Sequence, residues 1–469
     1  MDLISRDSAQ GRWVLAAATL GSGMALLDGT VVNIALRNVG QDLDASVSEL
    51  QWVVNAYLLS LASLILVGGS LGDRVGRRRV FMIGVAWFAT ASALCAIAQT
   101  PVQLIVARLV QGIGAALLTP GSLAMIQGSF RVEDRAHVIG RWAGLGGIAA
   151  ALGPLLGGWI IDNASWRWIF WINVPIAVAI LAISARHVPE TLDPTSHRGF
   201  DVAGGVLGSL GLGGLTYAMI EAGVAPTGYV VTAAVVGVMA LVVFLGWEGR
   251  TSRPLVPLHL FRSRIFSVAN AMTFLVYAAL GAVMFFLVLQ LQVTTGFSPL
   301  AAGLSTVPIT IALLLLSSRS AALADRIGPR MQMSFGPVLC GIGVLLLYGV
   351  DADTRYLTGV LPGITVFALG LAALVAPLTS TVLAEVADSY AGTASGINNA
   401  VARTGSLFAV AALPAAVGIA GDDYQEPAVF TSGYAAAMLV CAVLLIAGGL
   451  VSFVGLPRAE RPALDAVSR

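Results

Sequence analysis

Two charged residues of this chain stand inside long apolar segments, where charge is costly. Asp28 lies near the middle of "ALLDGTVVNIAL" at 25–36, and Arg108 opens "RLVQGIG" at 108–114. Ionisable groups at membrane depth normally face the protein interior or a water-filled cavity and mark ion or substrate pathways. Because burial favours the neutral carboxyl, Asp28 is predicted to bind and release a proton. The alternative is that Asp28 is a satisfied polar group that stabilises helix contacts.

Helix geometry places Asp28 and Arg108 at similar depth. At about 1.5 Å per residue, roughly 12 Å separates Asp28 from the end of its apolar segment, and roughly 10 Å separates Arg108 from the start of its own. The two charges are predicted to neutralise each other partly if their helices line one cavity. The alternative is that Arg108 bonds exposed backbone carbonyls. Gln111 lies one turn along the same face, whereas Asn33 turns away from Asp28 and is predicted to pack against another helix.

The elements that must position these residues are transmembrane helices. Of the 469 residues, 57% are hydrophobic and 11% are charged, against roughly 25% charged residues in an ordinary soluble domain. Apolar runs of about 20 residues are long enough to cross a bilayer as helices, and they lack the alternation of transmembrane strands. The sequence therefore predicts an all-α polytopic membrane protein. We place fourteen spans near 13–36, 50–72, 79–98, 102–126, 137–161, 166–186, 200–221, 226–247, 267–293, 299–320, 330–350, 356–384, 391–418 and 433–455.

The distribution of charge orients these spans. All 26 basic residues are Arg. A cytoplasmic N-terminus leaves only Arg37, Arg167 and Arg355 in external loops, as the positive-inside rule requires. Both termini are therefore predicted to be cytoplasmic, and the first span is predicted to be retained rather than cleaved. The net charge of +1 gives no reason to expect a nucleic-acid partner, and the three cysteines lie in predicted spans, so disulfide bonds are not expected.

A repeated motif indicates an internal duplication. "LGDRVG" at 71–76 recurs as "LADRIG" at 323–328, in each case in a short predicted cytoplasmic connection. The separation between the copies exceeds six spans, so spans 7 and 8 are predicted to be a helix pair inserted between two parallel six-span halves. The predicted domains are an N-terminal six-helix bundle at 1–190, the inserted pair at 191–250, a cytoplasmic connection at 251–266 and a C-terminal six-helix bundle at 267–469.

Several stretches together resemble one transporter family, the fourteen-span drug:proton antiporters of the major facilitator superfamily, of EmrB and QacA type. Each stretch alone is a weak signal, but their order and spacing are specific. They are "LDGTVVNIAL" at 27–36, "QWVVNAYLL" at 51–59, "GSLGDRVGRRR" at 69–79, "RLVQGIG" at 108–114, "GPLLGG" at 153–158 and "WRWIFWINVPI" at 166–176. Arg37 and Pro329 depart from the family pattern and bear on gating rather than on membership.

The resemblance implies a secondary antiporter, not an enzyme, in the inner (cytoplasmic) membrane of a bacterium. It would export amphipathic or cationic toxic compounds by alternating access, with protons as the coupling ion and no cofactor. The expected partners are such small molecules and membrane lipids, and the expected state is a monomer. Two alternatives stay open: a dedicated exporter of one natural product such as an antibiotic, and a lipid-handling transporter with weak ion coupling. A chain without a Walker loop is not expected to be an ATP-driven pump, and histidines without ligand spacing predict no metal site.

Candidate site residues fall into a proton-coupling pair and a substrate cavity. The pair is Asp28 with Arg108. On span 9, residues at three- and four-residue steps share one helix face and could line a cavity through stacking and cation–π contacts, with core packing as the alternative. Arg403 is a second charge buried in the C-terminal half, with no obvious partner. The predicted cavity residues are Asp28, Tyr57, Gln111, Asn270, Phe274, Tyr277, Phe285 and Arg403.

Two further groups are predicted to serve conformational change. By resemblance, the loop that carries "GSLGDRVGRRR" and its repeat at 323–328 form a latch that favours the outward-open state. The alternative is that the arginines of the loop only set the topology. The "GPLLGG" stretch would allow close helix approach and bending, with ordinary small-residue packing as the alternative. The latch residues are Gly69, Asp73, Arg74, Gly76, Arg77, Arg78, Asp325 and Arg326, and the hinge residues are Gly153, Pro154, Gly157 and Gly158.

Overall fold

The computed structural model describes residues 3–192, 201–386 and 390–457, and these residues form a helical bundle. The β-structure among them is one isolated parallel bridge between Ile4 and Phe130. The expected all-α class is confirmed. The α-helices are α1 (Ala9–Leu43), α2 (Val47–Val75), α3 (Arg77–Ala96), α4 (Pro101–Ser129), α5 (Val132–Asn163), α6 (Trp168–Trp171), α7 (Asn173–His187), α8 (Val202–Ile220), α9 (Thr227–Glu248), α10 (Arg264–Val293), α11 (Pro299–Ser305), α12 (Val307–Ile327), α13 (Pro329–Leu346), α14 (Leu361–Ala384), α15 (Ala391–Ala416) and α16 (Pro427–Gly455).

Two predicted spans are interrupted where proline begins a new helix. Span 6 consists of α6 and α7, and Pro175 lies in the first turn of α7. Span 10 consists of α11 and α12, and Pro308 lies at the start of α12. Proline fits the first turn of a helix but lacks the N–H that an uninterrupted helix would use. The break in span 6 makes Asn173 the first residue of α7, which matters for the site.

Twelve helical segments among the described residues are long and apolar enough to cross a membrane. The two other predicted spans correspond to α13, with 18 residues, and α15, with 26 residues. A helix therefore occupies every predicted span. That α13 and α15 also cross the membrane, which would make fourteen spans, stays a prediction.

A short turn sets α1 and α2 side by side. Asp44 adopts the left-handed conformation, with φ 53°, and ends α1. Ser46 then caps α2: its side chain accepts from the Glu49 N–H, and the Glu49 carboxylate accepts from the Ser46 N–H. This capping box satisfies two of the free donors at the start of the helix. After the turn, the Tyr57 hydroxyl of α2 donates to the Ala25 carbonyl of α1 at 3.5 Å, one turn before Asp28.

The helices pack as two bundles and an added pair. We call α1–α7 the N-terminal bundle and α10–α16 the C-terminal bundle. The inserted helix α8 contacts both bundles, through α2 and α15, whereas α9 packs on α8. At the end of α8, the Trp52 indole N–H donates to the Glu221 carboxylate at 2.9 Å, so Glu221 contacts the N-terminal bundle. The domain boundaries themselves stay a prediction.

Hydrogen bonds join the two bundles at one end of the molecule. We call the end with the loops after α2 and α12 the signature end, and the opposite end the far end. At the far end, the Tyr424 hydroxyl donates to the Ala45 carbonyl at 3.1 Å, and burial raises the pKa of Tyr424, so the hydroxyl stays a neutral donor. Further side-chain contacts pair Gln51 with Val410 (2.7 Å), Gln292 with Ile34 (2.9 Å) and Ser298 with Asp162 (2.8 Å).

Cys95, Cys340 and Cys441 are free and buried. The Cys95 thiol donates to Oε1 of Gln111 at 3.6 Å, and the Cys340 thiol donates to the Phe367 carbonyl at 3.4 Å. Cys441 packs in the hydrophobic core as a small apolar group.

Candidate functional site

Asp28 and Arg108 form an ion pair in the interior of the N-terminal bundle. The Arg108 Nη1 atom lies 2.5 Å from Oδ2 of Asp28. Each residue is 1% exposed, so the carboxylate faces protein rather than lipid. Depth counting along span 1 and span 4 placed the two charges at one level, and the structure brings them into contact.

Two amides complete the set of donors around Asp28. Gln111 donates from Nε2 to Oδ1 of Asp28 at 2.8 Å, and its own Oε1 accepts from Arg108 at 2.7 Å. Asn173 of α7 donates to the same Oδ1 atom at 3.3 Å. Both carboxylate oxygens are therefore occupied by donors from α4 and α7. These donors replace the hydrogen bonds to water that a buried carboxylate loses.

The rest of the Arg108 guanidinium is also engaged. Its Nε atom donates to the Val53 carbonyl at 3.1 Å. The central carbon of the guanidinium, Cζ, lies 4.4 Å from the ring centre of Tyr57 and 5.8 Å from that of Phe170. Cation–π contacts of this kind are stronger in a dry site. Tyr57, a predicted cavity residue, thus shares Arg108 with Asp28.

Glycine at position 112 lets α4 approach α2 closely enough for these contacts. A Cβ atom there would lie 2.0 Å from the Ser60 hydroxyl and 2.5 Å from the Tyr57 carbonyl oxygen. Any larger residue would push the two helices apart. The "QG" pair of "RLVQGIG" therefore supplies one hydrogen-bonding side chain and one point of close contact.

Three contributors were not among the predicted site residues: Asn173, Ser92 and Phe170. Ser92 of α3 accepts from Asn173 at 3.0 Å and donates to the Phe170 carbonyl at 2.8 Å. All three are fully buried. A signal was present for Asn173 and Phe170, which lie in the quoted stretch "WRWIFWINVPI", but spacing within span 6 does not reveal contact with span 1.

Two of the predicted cavity residues on α10 are packed against neighbouring side chains, and their place in a cavity stays a prediction. Phe285 is fully buried and packs edge-on against Phe286 in the hydrophobic core. Asn270 is also buried, donates to the Phe266 carbonyl and accepts from Asn398 of α15 at 3.2 Å. Asn270 and Phe285 lie at the two ends of the predicted cavity face of α10, and neighbouring side chains cover both positions.

The middle of the predicted cavity face of α10 remains accessible. Phe274 and Tyr277 are half-buried, and Phe274 packs edge-on against Phe408 of α15, with 6.4 Å between ring centres. Arg403 of α15 is half-buried, and α15 packs against both α2, which carries Tyr57, and α10, which carries Tyr277. The middle of the molecule therefore brings together predicted cavity residues from both bundles.

Arg77 and Arg78 of the predicted latch each contact a carboxylate of the N-terminal half. Arg77 donates to Asp73 one turn away at 2.8 Å, and the Arg78 N–H donates to Glu190 at 3.0 Å. Gly76 has a φ of 124°, which favours glycine, and a Cβ there would meet Glu190 at 2.6 Å. Glu190 is a residue that the sequence analysis missed.

The other latch candidates are placed as follows. Gly69 faces Pro120 at ordinary contact distance, Arg74 is half-buried, and Arg326 is exposed at the end of α12. The side chain of Asp325 lies outside the described part of the structure. A contact between the loops after α2 and α12 stays a prediction.

The predicted hinge residues form a close contact between three helices. Gly153 and Gly157 lie against Thr30 and Val31 of α1, where added Cβ atoms would approach to 2.4 and 2.5 Å. On the next position, a Cβ on Gly158 would lie 2.5 Å from the backbone of Leu300 in α11. A Cβ added to Gly303 of α11 would lie 2.5 Å from the Pro154 carbonyl oxygen. The stretch thus joins the two bundles near the far end.

Across the described residues, no group of three His, Cys, Asp or Glu side chains is arranged to hold a metal ion. The site pairs one acid, Asp28, with donors to both of its oxygens from Arg108, Gln111 and Asn173.

Comparison with known proteins adds independent findings. The family model for the Major Facilitator Superfamily matches residues 18–410 and again 269–468. A methylenomycin A resistance protein of Bacillus subtilis is 37% identical over 410 residues, which cover 86% of this chain and 87% of that protein. The multidrug resistance protein Stp of Mycobacterium tuberculosis is 32% identical over 402 residues, with 85% and 74% covered. A crystal structure of a D-xylose–proton symporter has a TM-score of 0.67 at 16% identity, covers 96% of this chain and 99% of its own, and shows likeness of fold alone.

Proposed function

The chain belongs to the Major Facilitator Superfamily, and we propose that it is an antiporter that exports amphipathic antibiotic-like compounds in exchange for protons. It is a multi-pass membrane transporter rather than an enzyme, and its relatives include antibiotic and multidrug resistance proteins. The proposal goes further in naming the coupling ion and the acid that carries it.

The observation that supports coupling at Asp28 is its set of partners. Oδ2 of Asp28 binds Arg108 of α4, and Oδ1 binds Asn173 of α7 and Gln111. A proton that binds this carboxylate removes the charge that holds Arg108, so the contact between α1 and α4 must rearrange. Arg108 also lies over Tyr57, and this shared contact would pass the change to the wall of the proposed substrate cavity.

Alternating access would use the two ends of the molecule in turn. The described contacts close the far end, through Tyr424 with Ala45 and Gly158 with Leu300. We place the signature end in the cytoplasm of a bacterium because the positive-inside rule favours its arginines there. A proton entering from outside supplies about 2.3 kcal/mol per 100 mV of membrane potential, which is a sufficient force for export.

The latch and hinge have proposed roles in the same cycle. Opening of the far end requires separation of α5 from α11 at Gly158, and the Asp73 and Asp325 loops would then approach each other at the signature end. The chain would act as a monomer, with its small-molecule cargo and the surrounding lipids as its partners.

Two alternatives follow from particular observations. A relative named for resistance to methylenomycin A favours a dedicated exporter of one compound, whereas a relative named for multidrug resistance favours a broad one. A lipid-handling transporter with weak ion coupling would need neither Asp28 nor a proton gradient.

A resistance profile tests the proposal. The full chain is produced in a drug-sensitive bacterium beside two variants, Asp28→Asn in the site and Asp42→Asn, which lies on the same helix but is exposed and paired with Arg167 at the far end. We expect resistance from the wild type and from Asp42→Asn but not from Asp28→Asn. Resistance to many compounds indicates broad export and resistance to one a dedicated exporter. If Asp28→Asn protects as well as the wild type, the proposal is wrong.

A further inference from the structure

Arg403 is a charge in the middle of α15 that forms no ion pair with a described residue. It lies about 18 Å from the start of its helix, at the usual rise per residue. Among the described residues, the ion pairs involve Arg6, Arg77, Arg78, Arg108 and Arg167 but not Arg403. An unbalanced charge at membrane depth is unfavourable and normally serves a pathway or a ligand.

The buried ion pair of the N-terminal bundle does not offset the charge of Arg403. Asp28 and Arg108 form this ion pair and neutralise each other. Both oxygens of Asp28 are occupied by donors, so this carboxylate has little capacity left for a cationic ligand. Among the residues that the structure describes, Arg403 is therefore left in this region as a positive charge without an ion pair.

The surroundings of Arg403 are aromatic and come from both bundles. Arg403 stands on α15, which packs against α2 and α10, the helices that carry Tyr57 and Tyr277, and the Ser406 hydroxyl close by on α15 donates to the Tyr277 carbonyl at 2.8 Å. Phe274 lies one turn before Tyr277, is half-buried, and contacts Phe408. Flat rings of this kind stack against aromatic molecules.

We infer that Arg403 binds an acidic group of the exported compound, so that the preferred cargo is an amphipathic aromatic anion, such as a carboxylate or a phenolate, rather than a cation. A guanidinium binds a carboxylate through two parallel hydrogen bonds, and Tyr57, Tyr277 and Phe274 contact the apolar rings. The inference rests on the proposed export function, and it replaces the cationic cargo expected from the sequence, because that expectation needed a free carboxylate at Asp28.

Two probes with the same ring system test this directly: anthracene-9-carboxylate and anthracen-9-ylmethylammonium. Equilibrium binding is measured with the full chain in lipid nanodiscs, and empty nanodiscs correct for partition into lipid. The variants are Arg403→Gln, which removes the charge, and Arg403→Lys, which keeps it. Thermal unfolding of each variant shows whether it is folded.

We expect the wild type to bind the carboxylate more tightly than the ammonium. Arg403→Gln should weaken carboxylate binding by about 10- to 100-fold, the usual effect of losing a hydrogen bond between charged groups. Binding of the ammonium should stay the same or improve, and Arg403→Lys should retain most of the preference. Absence of a carboxylate preference in the wild type, or an equal loss for both probes in Arg403→Gln, would overturn the inference.

Failure of this inference is distinguishable from failure of the proposed function. If Asp28→Asn removes resistance while Arg403→Gln leaves the charge preference unchanged, proton-coupled export stands and Arg403 has another role. If the charge preference depends on Arg403 while Asp28→Asn is fully active, the recognition site stands and the coupling residue is misassigned.

Discussion

Asn173 of α7 donates to the carboxylate of Asp28 on α1, with 3.3 Å between Nδ2 and Oδ1. The same amide donates to Ser92 of α3, and Ser92 donates to the Phe170 carbonyl. Together with Arg108 of α4, these contacts tie the acid to four helices of the N-terminal bundle. A substitution of Asp28 should therefore disturb contacts on each of these helices.

The ion pair gives a prediction about stability. Asp28→Asn leaves Arg108 buried without a counter-ion, and breaking a buried pair in this way destabilises a protein by about 3–5 kcal/mol. The double variant Asp28→Asn with Arg108→Gln removes both charges and should be more stable than the single variant. Thermal unfolding in one detergent measures both. Losses that simply add would show that the two side chains do not stabilise each other.

Asn173 should matter for transport although it carries no charge. Asn173→Ala removes one donor to Asp28 and one to Ser92, so we expect a loss of stability of about 1–3 kcal/mol and weaker resistance. Asn33→Ala is the matched control, because Asn33 is a half-buried amide on α1 that bonds the Gly29 carbonyl of its own helix. The two variants are compared by unfolding and by resistance. Equal effects would contradict a specific role of Asn173.

The sequence was informative about Asp28 and Arg108 because both are rare residue types in apolar runs, and helix rise fixes their depth. It did not reveal Asn173, whose position depends on the break between α6 and α7. Its amide is one of many polar groups near span ends. Contact between span 1 and span 6 is a tertiary fact that periodicity along either helix does not contain.

The stripe on α10 shows the same limit from the other side. Three- and four-residue spacing correctly placed Phe274 and Tyr277 on one face. The spacing could not show that α15 covers Asn270 or that Phe286 and the core enclose Phe285. Which part of a face is covered depends on where neighbouring helices cross, and one sequence does not give those crossings.

The far-end contact predicts a conformational effect of a single methyl group. In Gly158→Ala, the added Cβ would lie 2.5 Å from Cα of Leu300, which is too close for two carbon atoms. The substitution should therefore push α5 and α11 apart and open the far end. Gly147→Ala is the control on the same helix, because nothing lies within 4 Å of a Cβ at that position. Cysteines at Asp162 and Ser298, whose side chains now bond at 2.8 Å, report closure by cross-linking.

We expect Gly158→Ala to lower the yield of this cross-link several-fold and Gly147→Ala to leave it unchanged. An unchanged yield in Gly158→Ala would show that α11 can shift without opening the far end.

The three native cysteines should be silent in such experiments. Cys95, Cys340 and Cys441 are buried and unpaired, so a membrane-impermeant maleimide should not label the folded protein. After unfolding in detergent, the reagent should label all three. Rapid labelling before unfolding would show that at least one helix face is more accessible than the structure indicates.

Proton release from proteoliposomes tests the central claim most directly. Liposomes with an acidic lumen hold the wild type, Asp28→Asn or Asp42→Asn, and a trapped dye reports luminal pH after addition of anthracene-9-carboxylate or tetraphenylphosphonium, with empty liposomes as the baseline. We predict that the wild type and Asp42→Asn release protons when cargo is added, and that Asp28→Asn stays at the baseline. Release by Asp28→Asn at the wild-type rate, or no release by the wild type with either compound, would contradict proton exchange at Asp28.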